Sequence, residues 1–186
     1  SFRYPGSDEC ALEDASFEVG PGQTLALIGG TGSGKSTVLK LIERFYDASA
    51  GAVLVDGVDV REMRQADLRD ALSLVPQKGY LFSGSVDTNV AYADESMPEE
   101  RVVHALDTAQ ALGFVMAKPE GTDSPIAQGG TNVSGGQRQR LCIARALAKP
   151  ARAYLLDDCF SALDYKTDAD LRAALRSEMS AATKVI

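Results

Sequence analysis

"LALIGGTGSGKSTVLKLIERF", residues 25–45, decides how the rest of the chain is read. Leu25–Ile28 is a short continuous apolar run, the pattern of a strand buried on both faces of a parallel sheet. The next nine residues, "GGTGSGKST" at 29–37, fit G-x-x-x-x-G-K-[ST] with Gly29, Gly34, Lys35 and Ser36 at the fixed positions. Val38, Leu41, Ile42 and Phe45 then recur at i, i+3, i+4 and i+7, so a helix begins near Lys35. Strand, glycine loop and helix in that order make a phosphate cradle. The glycines let backbone approach phosphate oxygens closely, and the amide N–H groups and helix N-terminus add fixed positive dipole. The expected nucleotide-binding set is Gly29, Gly30, Thr31, Gly32, Ser33, Gly34, Lys35, Ser36 and Thr37. Lys35 should reach the β- and γ-phosphates, and Ser36 should offer its hydroxyl to Mg²⁺. A plain glycine turn with a surface lysine would need neither flank. A dinucleotide site would need a third glycine, which "GTGSGK" lacks at the required spacing.

Before this loop, residues 11–28 read as two strands around a Pro21-Gly22 turn. After it, "VLVDGVDV" at 53–60 places Asp56-Gly57 between β-branched runs, a hairpin signal. A short helix is predicted over 64–71, then a strand at Leu72–Val75 that Pro76 stops. Strand signals fade from 77 to 150. There Ser96-Met97-Pro98-Glu99 reads as a capping box opening a helix with Val102, Val103 and Leu106 on one face. A second helix is predicted over 137–148, with Leu141, Ala144 and Leu147 on one face. Ala153–Leu156 reads as another buried strand, and Thr167, Leu171, Ala174 and Leu175 mark a closing helix. The opening "SFRYPG" and closing "ATKVI" read as strand fragments, which predicts a piece of a longer polypeptide.

Composition narrows the partners. With 186 residues, 45% apolar and 24% charged, the chain suits one folded domain. A net charge of −7 argues against a reader of nucleic-acid backbone, and no nucleic-acid partner is expected. No run approaches the roughly 18 apolar residues of a membrane span. Cys10, Cys142 and Cys159 share no metal-ligand spacing and are expected to be buried or partly buried thiols. His104 is the single histidine and has no evident partner.

The phosphate loop alone leaves kinases, GTPases and many ATPases open. "VSGGQRQRLCIARAL" at 133–147 resembles the signature motif of ABC ATPases, usually written LSGGQ. Ser134, Gly135 and Gly136 stand just before a predicted helix and offer a hydroxyl and N–H groups to an anion. The resemblance runs across essentially the whole chain and implies roles for further residues. By it, Ser134, Gly135, Gly136 and Gln137 face the γ-phosphate held by a second nucleotide-binding domain, so that two domains sandwich ATP head to tail. Tyr4, 25 residues before Gly29, looks like the aromatic that stacks on adenine. Gln77, after "LVP", looks like the glutamine that touches Mg²⁺ and the attacking water. "YLLDD" at 154–158 looks like the Walker B strand, with Asp157 holding Mg²⁺ through water. "SALD" at 161–164 looks like the loop that crosses to the other domain, with Asp164 at that interface. "LFSGSVDTNV" at 81–90 is similar to exporters more than importers.

Two departures stand out. The family carries glutamate after the Walker B aspartate to accept the proton of the attacking water. This chain has Asp158, shorter by one methylene or about 1.5 Å. In "IAQGG" at 126–130, Gln128 stands where exporters often carry glutamate, in a segment that contacts the transmembrane helices. Together these resemble the degenerate-site subunit of heterodimeric bacterial exporters. The histidine that the family uses as a switch would fall beyond Ile186, and His104 lies in the wrong region to replace it.

The expected fold is α/β: a P-loop NTPase (RecA-like) core over 1–76 and 151–186, with an antiparallel β edge and an inserted helical subdomain over 77–150 that carries the signature. The implied cofactors are ATP and Mg²⁺, with Ser36, Gln77 and Asp157 around the metal and Lys35, Gln77 and Asp158 in catalysis. The implied partners are a second nucleotide-binding domain and a transmembrane domain, at the cytoplasmic face of the cell membrane. One rival is a soluble ABC ATPase of DNA repair or translation. Repair members insert a long coiled coil between the loop and the signature, whereas Ser134 follows Lys35 by only 99 residues. The other rival is a regulatory module that binds ATP without hydrolysing it, which Asp158 keeps open.

Overall fold

The computed structural model describes Ser1–Ile186 throughout. In chain order its elements are β1 (Thr24–Leu25), α1 (Lys35–Ile42), β2 (Leu54–Val55), β3 (Val58–Asp59), α2 (Gln65–Ala71), β4 (Leu72–Val75), β5 (Gly84–Ser85), α3 (Val86–Val90), α4 (Glu99–Thr108), α5 (Leu112–Met116), β6 (Pro125–Ile126), α6 (Gly135–Ala148), β7 (Ala153–Leu156), α7 (Tyr165–Glu178) and β8 (Thr183–Val185). Strands distant in sequence build one parallel sheet in the order β1-β8-β7-β4. Its ladder runs past the strand ends: Leu27 N–H donates to the Ile186 carbonyl at 2.7 Å and Asp157 N–H to the Val75 carbonyl at 2.9 Å.

Side chains alternate across this sheet with the period of two that strands impose. Leu72 and Leu155 turn to one face, where they pack with Leu39 of α1, Leu68 of α2 and Val60. Val75 and Leu156 turn to the other, where they join Leu141 and Ile143 of α6, Val102 and Leu106 of α4, and Leu171 and Leu175 of α7. Helices on both faces explain why β4 and β7 are mostly apolar, with Ser73 as the polar exception, its hydroxyl donating to the Ala146 carbonyl of α6 at 2.8 Å. The second cluster holds 23 buried residues against 6 in the first, so most of the core lies where the 77–150 helices meet the sheet. That segment is inserted in sequence, yet it shares one apolar core with β4, β7 and α7. Each fully buried Leu or Val there contributes about 1.5–3 kcal/mol.

The antiparallel part is the β2–β3 hairpin and a single bridge between Phe2 and Leu12. The hairpin turns where Asp56-Gly57 predicts, with φ of 51° and 79° at the two residues, the left-handed pair of a type I′ turn. Leu72–Val75 and Ala153–Leu156 are strands with the expected ends. A further antiparallel pair, β5–β6, forms inside the helical stretch.

Several expectations are corrected. Residues 13–20 form no strand, so the Pro21-Gly22 turn is not flanked by two. Ile28 is 96% exposed instead of buried. β1 is an edge strand with β8 as its sole neighbour, so Leu25 and Leu27 reach the packed face while Ile28 points outward. Phe45 is not on the first helix: α1 ends at Ile42, Arg44 turns left-handed, and Phe45 emerges under the Arg69 guanidinium. Ser96 does not cap α4. Pro98 is itself the cap residue, with extended backbone, and the Ser96 hydroxyl donates to Asp94 at 2.6 Å. Cys10 is exposed, whereas Cys142 and Cys159 are buried. His104 has a partner, Glu178 of α7, at 3.0 Å.

Candidate functional site

Parallel strands all end on the same side of a sheet, and ligands gather there. β1 runs into the glycine loop, β4 into Pro76-Gln77, and β7 into Asp157-Asp158. The sheet thereby delivers the loop, an amide and two carboxylates to one edge.

The loop needs its glycines. Gly34 has φ of 90°, and a Cβ there would sit 2.7 Å from Leu12 Cδ2 and 2.9 Å from the Ala11 carbonyl. A Cβ on Gly29 would sit 2.4 Å from Ser33 Oγ. Thr31, Gly32 and Ser33 form an exposed turn between them. Lys35 Nζ lies in the mouth of this loop, donating to the carbonyls of Gly29 at 2.6 Å and Gly30 at 2.8 Å. No side chain caps α1, so its first-turn N–H groups keep their binding capacity.

The acids stand directly beside it. Ser36 Oγ donates to Asp157 Oδ1 at 2.9 Å, and Gln77 Nε2 donates to Asp158 Oδ2 at 3.2 Å. Asp158 itself has φ of 45°, in the left-handed region, and its carbonyl accepts the Ser161 hydroxyl at 2.9 Å. A cavity of about 450 Å³ opens here, lined by Lys35, Asp157, Asp158, Phe160, Ser161 and Arg172 among others. A hydroxyl and a carboxylate at hydrogen-bond distance are hard oxygen donors, and they suit Mg²⁺, which takes one or two protein ligands beside substrate phosphates. Nowhere does the chain gather three or more His, Cys, Asp or Glu side chains that could hold a metal by themselves. Cys159 follows these acids but is inert as a nucleophile, because burial pushes its thiol up to about 12.

Tyr4 stands beside the loop. Its hydroxyl and Thr37 Oγ1 share a hydrogen bond of 2.9 Å, and its ring meets Phe2 and Tyr46 edge-on with Lys40 5.8 Å from its centre.

The other predicted residues lie together in a second place. Ser134 caps α6: its Oγ accepts from Gln137 N–H at 3.2 Å, while Gln137 Oε1 accepts from Ser134 N–H at 3.1 Å. A Cβ on Gly136 would sit 3.3 Å from the Ala162 carbonyl, so the 161–164 turn lies against the start of α6. Asp164 caps α7, accepting from Thr167 N–H at 3.0 Å and Thr167 Oγ1 at 2.7 Å. These bonds hold its carboxyl below the usual range. No hydrogen bond joins 134–137 to the 29–37 loop.

Sequence reasoning missed Gln139, which is 3% exposed on α6 and grips the Gln77 segment. A signal was present. Gln139 shares the helix face of Cys142, Ile143 and Ala146, and a polar residue in an apolar stripe needs a partner.

Comparison with known proteins bears on the family and the fold. The sequence profile described as "ABC transporter" matches residues 12–161. An ABC transporter ATP-binding protein of Mycobacterium bovis is 50% identical over all of this chain and 32% of its own length. The ATP-dependent lipid A-core flippase of Pseudomonas aeruginosa is 44% identical over all of this chain and 31% of its own length. The solved structure of a bacterial Atm1-family ABC exporter with ATP bound superposes with a TM-score of 0.94 at 37% identity, covering 99% of this chain and 32% of that one. The chain thus spans about a third of the length of the relatives it matches.

Proposed function

The chain belongs to the ABC transporter family, and from that premise we propose that it binds and hydrolyses ATP to power export through a membrane-spanning domain. The relatives' names, a flippase and an exporter, support the direction of transport. The observation that carries the nucleotide reading is the meeting of Ser36 with Asp157 and of Gln77 with Asp158 at the mouth of one glycine loop.

Each residue has a distinct role. Lys35 and the first-turn N–H groups of α1 neutralise the β- and γ-phosphates. Ser36 and Asp157 would hold Mg²⁺, with Gln77 beside them. When bound, it would supply positive charge to offset that growing on the phosphate oxygens. Asp158 accepts the proton of the attacking water, and the Gln77 amide fixes one oxygen of that carboxylate. Tyr4 supplies an aromatic surface for adenine.

Aspartate at 158 withdraws the base, and a displacement near 1 Å costs about a hundredfold in rate. The chain's own site therefore turns over slowly. The capped start of α6, Ser134-Gly135-Gly136-Gln137, completes the site of a second nucleotide-binding domain, a different subunit, and Asp164 lies at that interface. The pair works at the cytoplasmic face of the membrane, joined to transmembrane helices near Gln128. A module that uses ATP only to join two subunits is the reading Asp158 would favour instead. It predicts ATP-dependent pairing with no phosphate release.

The test is calorimetry of Mg-ATP binding to the full-length protein. Lys35→Ala removes the cation beside the phosphates and should weaken binding at least about tenfold. Equal affinity for both forms would remove the phosphate-loop assignment.

A further inference from the structure

α6 begins at the signature and passes directly beneath the segment that carries Gln77. Gln139 is the point of attachment. Its Nε2 donates to the Pro76 carbonyl at 3.3 Å, and its Oε1 accepts from Gly79 N–H at 3.2 Å. One amide thus grips the backbone on both sides of Gln77-Lys78. Both of its ends are used, so its orientation is set. The fit is close, because a Cβ on Gly79 would sit 2.9 Å from both Gln139 Oε1 and Cys142 Sγ. The next carbonyl, Tyr80, is held from the same helix by Arg145 Nη1 at 2.9 Å.

Gln77 is exposed, and its one side-chain hydrogen bond goes to Asp158. An exposed side chain on a short bend has little to fix its direction except its backbone. Gln139 fixes that backbone, and it does so from a helix whose first turn is Ser134-Gly135-Gly136-Gln137. We propose that Gln139 is a positioning residue: it sets the Gln77 amide against Asp158 and ties that placement to the position of the signature helix. Docking of α6 on a partner's nucleotide then reaches the water-orienting amide of this chain's own site through one side chain. The proposal rests on the reading of Gln77 and Asp158 as a hydrolytic pair.

A double-mutant cycle tests it on the complete transporter in lipid nanodiscs with the partner subunit's catalytic carboxylate removed, so that the steady-state Mg-ATPase read out comes from this chain's own site. Gln139→Met keeps the length of the side chain and deletes both hydrogen bonds. We expect kcat to fall about tenfold while KM for ATP stays within about twofold, the signature of an interaction made in the transition state. Gln139→Asn keeps the amide but is too short to reach both backbone groups, and should show the same split if the methionine variant does not fold. Because Gln139 acts through Gln77, Gln77→Ala with Gln139→Met should be no slower than Gln77→Ala alone. Independent, multiplying losses would overturn the proposal, as would an unchanged kcat for Gln139→Met. No loss from Gln77→Ala would also overturn it, since nothing would remain to be positioned. Lys35→Ala hydrolysing like the parent would instead overturn the nucleotide reading, and this proposal with it.

Discussion

Two helices of this chain begin beside glycines at the two places proposed above to meet phosphate, and they begin differently. α1 follows a left-handed Gly34 and has no side-chain cap. Its free N–H groups and Lys35 form a complete anion site from a single stretch of chain. α6 follows Ser134, and the reciprocal Ser134–Gln137 pair already satisfies two groups of its first turn. The first site is built to hold phosphates by itself. The second is stable without a ligand and has to exchange internal hydrogen bonds for external ones, which suits a surface that engages only when a partner presents a nucleotide. The far ends differ as well. α1 ends on buried Glu43, an acid at the negative end of the helix dipole, whereas α6 ends on Lys149, a cation at the favourable end.

The largest expected effect separates the two sites directly. Ser134→Arg puts bulk and charge where a partner's γ-phosphate docks, and steady-state hydrolysis by the complete transporter should fall more than about a hundredfold. Asp158→Asn removes a base that already works poorly, and total hydrolysis should fall less than about threefold. The reverse pattern would break the comparison, and equal severe losses would mean that Asp158 is a working base.

Glycine swaps give a smaller contrast. Gly34→Ala meets Leu12 and the Ala11 carbonyl with a backbone at φ 90°, and should cost about 1–3 kcal/mol of stability together with ATP affinity. Gly135 has open space and ordinary backbone, so Gly135→Ala should change stability by less than about 1 kcal/mol. Denaturant melts of both variants measure this. A costly Gly135→Ala would mean that the start of α6 is as tightly built as the loop.

The effect narrowest in reach, confined to stability at higher pH, concerns Glu43. Burial raises its pKa from 4.5 to about 7, against the opposing pull of Arg69 and Lys149. The folded state therefore holds this proton more tightly than the unfolded chain. Stability from this group falls as pH rises from 4.5 to 7 and stays low above that. Glu43→Gln should raise stability near pH 8 by about 1–3 kcal/mol and change little below pH 4. Thermal melts at the two pH values check it, and an equal gain at both would assign the effect to packing.

How much of the molecule is legible in its sequence depends on how locally each feature is determined. The phosphate loop is legible because phosphate chemistry demands glycines, a lysine and a hydroxyl at fixed spacing. The hairpin is legible because two left-handed residues in a row all but require Asp-Gly or its like. Leu72–Val75 and Ala153–Leu156 are legible because strands covered on both faces are mostly apolar, Ser73 being the one small polar residue among them. Ile28 misleads for the same reason: an apolar run does not show where its strand ends, and Ile28 lies three residues past β1, at the start of the loop. The Ser96 box fails because Pro98, one residue before the helix, takes the cap position with a preset backbone. His104 and Glu178 lie 74 residues apart, and no local pattern announces such a pair. Gln139 escapes for a related reason, since its role depends on which backbone crosses α6.

The left-handed backbone at Asp158 has a consequence for how this position can change over time. Short acids and amides tolerate that conformation better than longer side chains, because they bond to nearby backbone. A glutamate here reaches further toward the water and pays for its reach in backbone strain. Stability and turnover are thus opposed at a single residue. In a pair of unlike subunits where one site suffices for hydrolysis, selection no longer defends the longer acid in the other. In such a pair a swap to aspartate would relax the turn at no cost to the assembly, and a return to glutamate would have to climb against folding stability.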